Sequence, residues 1–163
     1  MPRKILYIDL DSTLVDFAHR IEALDPDLAR AYAGRLDEIP GMFALMRPMP
    51  GALAAYAQLS EVFDTYILST APWENPSAWQ HKLEWVHLHL GRGADGPAYK
   101  RLILSHHKNL NRGDFLVDDR PHNGASNFEG EWVKFGEAWF DGFGDKPDFV
   151  DWPAVVAHLL PLA

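Results

Sequence analysis

Hydrophobic residues fall along this chain in short blocks with two rhythms. "KILYIDL" (4–10) is rich in β-branched and aromatic residues and shows little polar alternation. That suits a strand buried on both faces of a parallel sheet. "FDTYILST" (63–70), "KRLILS" (100–105), "GDFLVDD" (113–119) and "EWVKFG" (131–136) read as four further strands. Between them the spacing turns helical. A helical stretch is expected from about Val15 to Arg35. Two more helices are "GALAAYAQLSEV" (51–62) and "NPSAWQHKLEWVHLHLG" (75–91), the latter stopped at Gly91. "DWPAVVAHLL" (151–160) closes the chain as a helix, with Asp151 or Trp152 near the cap and Pro153 in its first turn. Pro40, Pro48 and Pro50 interrupt any helix between the first two blocks. Strands alternating with helices predict an α/β domain with a mostly parallel central sheet flanked by helices. The least regular stretch, about 17–47, is expected to form a small helical insertion over the site.

Ligands of open parallel sheets bind beyond the carboxyl ends of the strands, and polar residues gather at those ends here. The first strand ends in Asp9 and Asp11, the second in Ser69 and Thr70. The third is followed by "HHK" with Lys108, and the fourth ends in Asp118 and Asp119. Each motif alone has an ordinary explanation, because Asp, Ser and Thr routinely cap helices and start turns. Four of them on one sheet edge are harder to explain that way. Asp9, Asp11, Asp118 and Asp119 have ordinary carboxylate pKa values of about 3.9. Gathered together they repel, and one or more takes up a proton unless a cation is present. A hard divalent ion such as Mg²⁺, which binds carboxylates and phosphate through oxygen, resolves the conflict. Lys108 supplies a further positive charge.

Composition narrows the classes. At 163 residues and 47% hydrophobic content, the chain suits a single domain with a real core. It has no cysteine and therefore no disulfide framework, which is consistent with the cytoplasm. No apolar run approaches the roughly 20 residues of a membrane span, so no membrane partner is expected. "MPRKILYI" reads as a first strand and not as a signal peptide. A net charge of −8 argues against polymeric nucleic acid as a partner.

"DLDST", "LST", Lys108 and "DD", in that order on successive strands, resemble the four motifs of the haloacid dehalogenase-like (HAD) hydrolases. "IDLDSTLVDF", "MPGALAAYAQL", "YILSTAP", "HKLEWVHLHLG" and "FLVDDRP" are further similar, in order and spacing, to the 5′(3′)-deoxyribonucleotidases. The resemblance implies a Rossmann-like HAD core across residues 1–163, with about 17–47 as a reduced cap. It implies a Mg²⁺-dependent phosphatase that works through an aspartyl-phosphate. The partner it implies is a small phosphorylated substrate, foremost a nucleoside monophosphate, with self-association into a homodimer left open. By the same resemblance Asp9 is the nucleophile and Asp11 the general acid/base, its backbone carbonyl a metal ligand. Thr70 donates to a phosphoryl oxygen. Ala71 takes a phosphate-side position where several relatives have serine. Lys108 neutralises the aspartate and phosphate charges. Asp119 is the direct metal ligand, with Asp118 orienting water or Lys108. The two are consecutive and cannot both face one metal if the strand stays extended. Phe17 matches an aromatic that packs against the nucleoside, although a core phenylalanine at a helix start is an equal alternative.

Two departures from the pattern stand out. Ser12 takes the glycine place of "DxDG", and the cap is markedly shorter than in the deoxyribonucleotidases, so several aromatic base contacts have no counterpart. The reaction is therefore better specified than the substrate, and another small phosphomonoester, such as a sugar phosphate, is the second expectation. A receiver-type signalling domain uses similar residues in the reverse order. A non-catalytic relative is disfavoured by the presence of both Asp9 and Asp11. "GRGADG" (91–96) formally matches G-x-G-x-x-G but follows a helix, so it reads as a loop. His87 and His89 stand i, i+2 on a helix and do not share a face. Trp73 reads as a surface aromatic.

Overall fold

The computed structural model describes residues 2–136 and 148–163. Five strands form one sheet: β1 (Ile5–Ile8), β2 (Asp64–Ser69), β3 (Leu102–Leu104), β4 (Phe115–Asp118) and β5 (Glu131–Lys134). Their order is β3-β2-β1-β4-β5, and every pair is parallel. The chain builds outward from β1 to β3, then crosses back to lay β4 on the other side of β1. That reversal makes the carboxyl ends of β1 and β4 the switch point of the sheet, where open α/β folds bind ligands.

Alternation along the strands divides the core. Leu6 and Ile8 of β1, Ile67 of β2 and Val117 of β4 point into the larger cluster. There they meet α3 (Ala52–Val62), α4 (Pro76–Leu90) and α5 (Trp152–Leu159). Tyr7, Leu68 and Leu116 point the other way, onto Ala125 and Phe128. Both faces of β1 are covered, which explains why "KILYIDL" lacks polar alternation. Asp151 caps α5 by accepting from the Ala154 amide at 2.8 Å. No helix among the described residues is long and apolar enough to cross a membrane.

The single helix expected over Val15–Arg35 is instead two short ones, α1 (Phe17–Glu22) and α2 (Pro26–Ala31), followed by a 3₁₀ turn at Leu36–Glu38. The physical reason is "DP": proline disfavours helical geometry in the residue before it. Asp25 therefore stops one helix and caps the next, accepting from the amides of Asp27 and Leu28. Val15 is extended and bridges Asp11 and Pro48. The returning arm of this insertion is tied down. Ile39, Met42, Phe43 and Met46 are buried in the main core. The Asn75 side chain donates to the carbonyls of Asp37 and Ile39, and the Trp85 indole donates to that of Met46 at 2.8 Å.

Candidate active site

The loop after β1 places its two carboxylates by a tight wrap. The Asp9 amide donates to Val117 at 2.9 Å, which carries the ladder one residue past the strand. Leu10 turns into the core, and its carbonyl accepts from the amides of Thr13, Leu14 and Val15. With Leu10 pointing inward, Asp9 and Asp11 are left to the other side, as the i, i+2 spacing predicts. The wrap needs one left-handed residue, and Ser12 supplies it at φ +56°. This is the position at which the resembling motif carries glycine.

Lys108 leads a 3₁₀ turn, Lys108–Leu110, whose main chain is fixed by the Lys108 amide donating to Asn123 at 2.7 Å. Its ammonium is almost wholly buried, 2.9 Å from Oδ1 of Asp9, and it donates to Oδ2 of Asp118. The other Asp118 oxygen accepts from the Arg120 amide at 3.0 Å. Asp119 is different. Both of its carboxylate oxygens are buried without a hydrogen bond, and the Arg120 Nε lies 3.4 Å from one of them. Asp9, Asp118 and Asp119 each offer an oxygen within 4.8 Å of the others. Consecutive aspartates reach the same point because β4 ends at Asp118, so extended-strand geometry does not apply across the pair. Burial, with Asp9 adding, pushes the Asp118 carboxyl up to about 7, while Lys108 opposes the shift. Burial, with Asp9 and Asp118 adding, also holds Asp119 well above the ordinary carboxylate range. The buried ammonium and the Arg120 guanidinium together leave the three carboxylates with excess negative charge. A donor set made wholly of carboxylate oxygen fits a hard divalent cation.

Asp11 does not join that cluster through its carboxylate, which accepts a charged hydrogen bond from Lys82 of α4. Sequence reasoning assigned Lys82 no role. The signal was there: Lys82 lies between Ala78 and Trp85, at i+4 and i+7 of a buried stripe, where an apolar residue belongs. Burial raises the Asp11 carboxyl, with Asp9 adding and Lys82 opposing.

Asp11, Ser12, Thr70 and Arg120 line a cleft of about 570 Å³, with Phe17, Phe43 and Trp73 among its walls. Phe17 starts α1 and stacks on Phe43, ring centroids 5.7 Å apart. It is therefore both packed and cleft-lining. Phe43, buried and without a signal of its own in the sequence, is the second aromatic of that wall. Thr70 lines the cleft, and its hydroxyl donates to the Ser105 carbonyl at 2.8 Å. Ala71, expected on the phosphate side, has its side chain fully buried in the main core, so its methyl group packs against apolar residues and only its main chain is left to meet a phosphate. Trp73 is 75% exposed at the cleft mouth, edge-on to His106. His106 also borders the cleft, as do Arg120 and His122, none of which had been assigned a role. "GRGADG" is a loop after α4, and the His89 ring lies against Trp85 with centroids 4.7 Å apart.

Comparison with known proteins adds three findings. Residues 30–155 match the family model described as 5′-nucleotidase, deoxy (pyrimidine), cytosolic type C protein. A protein of Vibrio phage KVP40 assigned as a 5′(3′)-deoxyribonucleotidase is 51% identical over 157 residues, covering 96% of this chain and 85% of its own length. A Bordetella pertussis protein assigned the same activity is 32% identical over 143 residues, covering 85% of this chain and 74% of its own. Among solved structures, the magnesium-bound HAD-hydrolase YfnB of Bacillus subtilis superposes with a TM-score of 0.61 at 13% identity. The match covers 98% of this chain and all of that one, a likeness of fold.

Proposed function

The chain belongs to the 5′(3′)-deoxyribonucleotidase family of HAD-like hydrolases and is a phosphomonoester hydrolase; from that membership we propose that it dephosphorylates nucleoside monophosphates with Mg²⁺ as cofactor. The observation that carries this reading is Lys108 bridging Asp9 and Asp118 beside the buried Asp119 carboxylate, which accepts no hydrogen bond. Such a site combines a nucleophile, a fixed cation and a carboxylate whose oxygens are left without a hydrogen bond.

Asp9, Asp119 and the Asp11 main-chain carbonyl would hold the metal, which supplies charge neutralisation for the nucleophile and the phosphoryl oxygens. Asp118 is occupied with Lys108 and the Arg120 amide, which supports a supporting role for it over direct ligation. An Asp9 oxygen attacks phosphorus and the bond from phosphorus to the ester oxygen breaks. Asp11 gives its proton to the departing alkoxide. The same carboxylate then takes a proton from water as that water attacks the aspartyl-phosphate, releasing Asp9 and inorganic phosphate. Burial of Asp11 supports its first role, because it favours the protonated acid. Lys108 steadies Asp9 and the transferring group. Thr70 reaches the phosphoryl group by turning its hydroxyl from the Ser105 carbonyl.

Phe17 and Phe43 provide an apolar wall suited to a nucleobase. Residues 17–47 then act as a reduced cap on a single domain, and the exposed Trp73 marks its open side. A cytoplasmic nucleotide pool is the setting this reading implies.

The test is a panel of 5′- and 3′-deoxynucleotides, ribonucleotides and sugar phosphates, assayed with Mg²⁺ and with chelator. The expected profile favours deoxynucleoside monophosphates, requires metal and vanishes in Asp9→Asn. A flat profile removes the nucleotide assignment, and full turnover in Asp9→Asn removes the mechanism.

A further inference from the structure

Lys82 is a buried cation that the reaction above does not use. Its side chain is 1% exposed, although nothing in the packing of α4 requires a charge there. Burying an ammonium costs several kcal/mol unless it is paired and hydrogen-bonded. Lys82 has three partners that meet this demand. Its ammonium donates to Oδ2 of Asp11, donates to the Ser69 hydroxyl at 3.0 Å, and lies 4.6 Å from the centre of the Phe43 ring.

These partners come from three parts of the fold. Asp11 belongs to the loop after β1, Ser69 ends β2, and Phe43 belongs to the returning arm of the insertion. Ser69, fully buried, anchors the ammonium to the rigid sheet. Asp11 sits on a loop and needs such an anchor to keep one orientation. Phe43 lies under the Lys82 ammonium and beside the tilted Phe17 ring, centroids 5.7 Å apart, so the cleft's aromatic wall and the Asp11 carboxylate share one support.

We propose that Lys82 is the positioning residue of Asp11, holding its carboxylate against the sheet and linking it through Phe43 to the wall that receives the substrate. The inference rests on the acid/base reading of Asp11, and the experiment separates the two.

Phosphoenzyme formation is followed in single turnovers with Mg²⁺ on two esters. 4-Nitrophenyl phosphate has a leaving group that departs without a proton, whereas the alkoxide of 2′-deoxyuridine 5′-monophosphate requires one. Lys82→Met is expected to slow the nucleotide roughly 100-fold and the aryl ester less than about 5-fold, within the range general acid catalysis spans. In an Asp11→Asn background, Lys82→Met should change neither rate more than about 3-fold, because two residues acting as one unit are not additive. Equal slowing of both esters, or full additivity with Asp11→Asn, overturns the positioning role. If Asp11→Asn itself slows both esters equally, the acid/base reading falls instead and takes this inference with it. Circular dichroism confirms folding. Should Lys82→Met not fold, Lys82→Gln, which keeps an uncharged donor one atom shorter, carries the same comparison.

Discussion

The Lys108 ammonium lies 2.9 Å from Oδ1 of Asp9 while it also donates to Asp118, so one buried cation joins the ends of β1 and β4 across the switch point of the sheet. Asp9, Lys108 and Asp118 are each at least 95% buried, and none has water to replace a lost partner. Lys108→Met should therefore abolish measurable phosphatase activity. It should also cost about 3–5 kcal/mol of stability, the usual consequence of stripping one partner from a buried ion pair. Urea unfolding with chelator present, near neutral pH, measures the second effect. A stability change under about 1 kcal/mol would mean the pair is weaker than its burial implies.

Asp119 carries the opposite expectation. Its oxygens have no hydrogen bond and the Arg120 Nε stands off at 3.4 Å, so its ionised form is costly until a metal ion arrives. Asp119→Asn should raise the Tm of the metal-free protein and remove most of the Tm gain produced by Mg²⁺. Asp118→Asn should instead keep most of that Mg²⁺ gain, because its oxygens are taken by Lys108 and the Arg120 amide. Thermal scans with and without Mg²⁺ on the three proteins decide between the roles. Identical behaviour of the two variants would erase the distinction.

The same carboxylates set a pH dependence. Asp118 is pushed up to about 7 and Asp119 well above its ordinary value, chiefly by burial. Between the unfolded carboxylate range near 4 and about 7, the folded protein binds more protons than the unfolded chain, and stability falls as pH rises. In chelator, the unfolding midpoint should be higher at pH 5.5 than at pH 8. Mg²⁺ should recover the difference at pH 8 and add little at pH 5.5, where protons already occupy the carboxyls. Metal-free stability that climbs steadily from pH 5.5 to pH 8 would contradict the burial argument.

Ser12 sits at φ +56°, in the left-handed region that side chains other than glycine enter at a cost of roughly 1–3 kcal/mol. Glycine relieves this, although it also adds freedom to the unfolded chain. Ser12→Gly should leave turnover within about 2-fold and stabilise the protein by roughly 0.5–1 kcal/mol. Denaturant melts and steady-state kinetics check both. A loss of activity would show that the side chain of Ser12, a cleft-lining residue, contributes more than a backbone angle.

Chain order alone was enough to determine the parallel α/β frame. Buried strands such as "KILYIDL" announce themselves by lacking polar alternation, and carboxylates that end such strands must lie on one edge. Asp9, Asp11, Thr70, Lys108 and the Asp118–Asp119 pair were legible for that reason. What the sequence could not determine depends on the distance between elements far apart in the chain. Lys82 reads as one more helix lysine until α4 docks with it against Asp11, 71 residues away. Ala71 follows a motif residue, yet the chain turns its side chain into the core. Phe43 becomes a cleft wall only when the returning arm packs beside Phe17. The different situations of Asp118 and Asp119 are likewise tertiary. Two identical neighbouring side chains diverge because the strand stops between them, handing one to Lys108 and leaving the other without a hydrogen-bond donor. Local pattern reports which face a residue prefers. Only packing decides which charge it meets there.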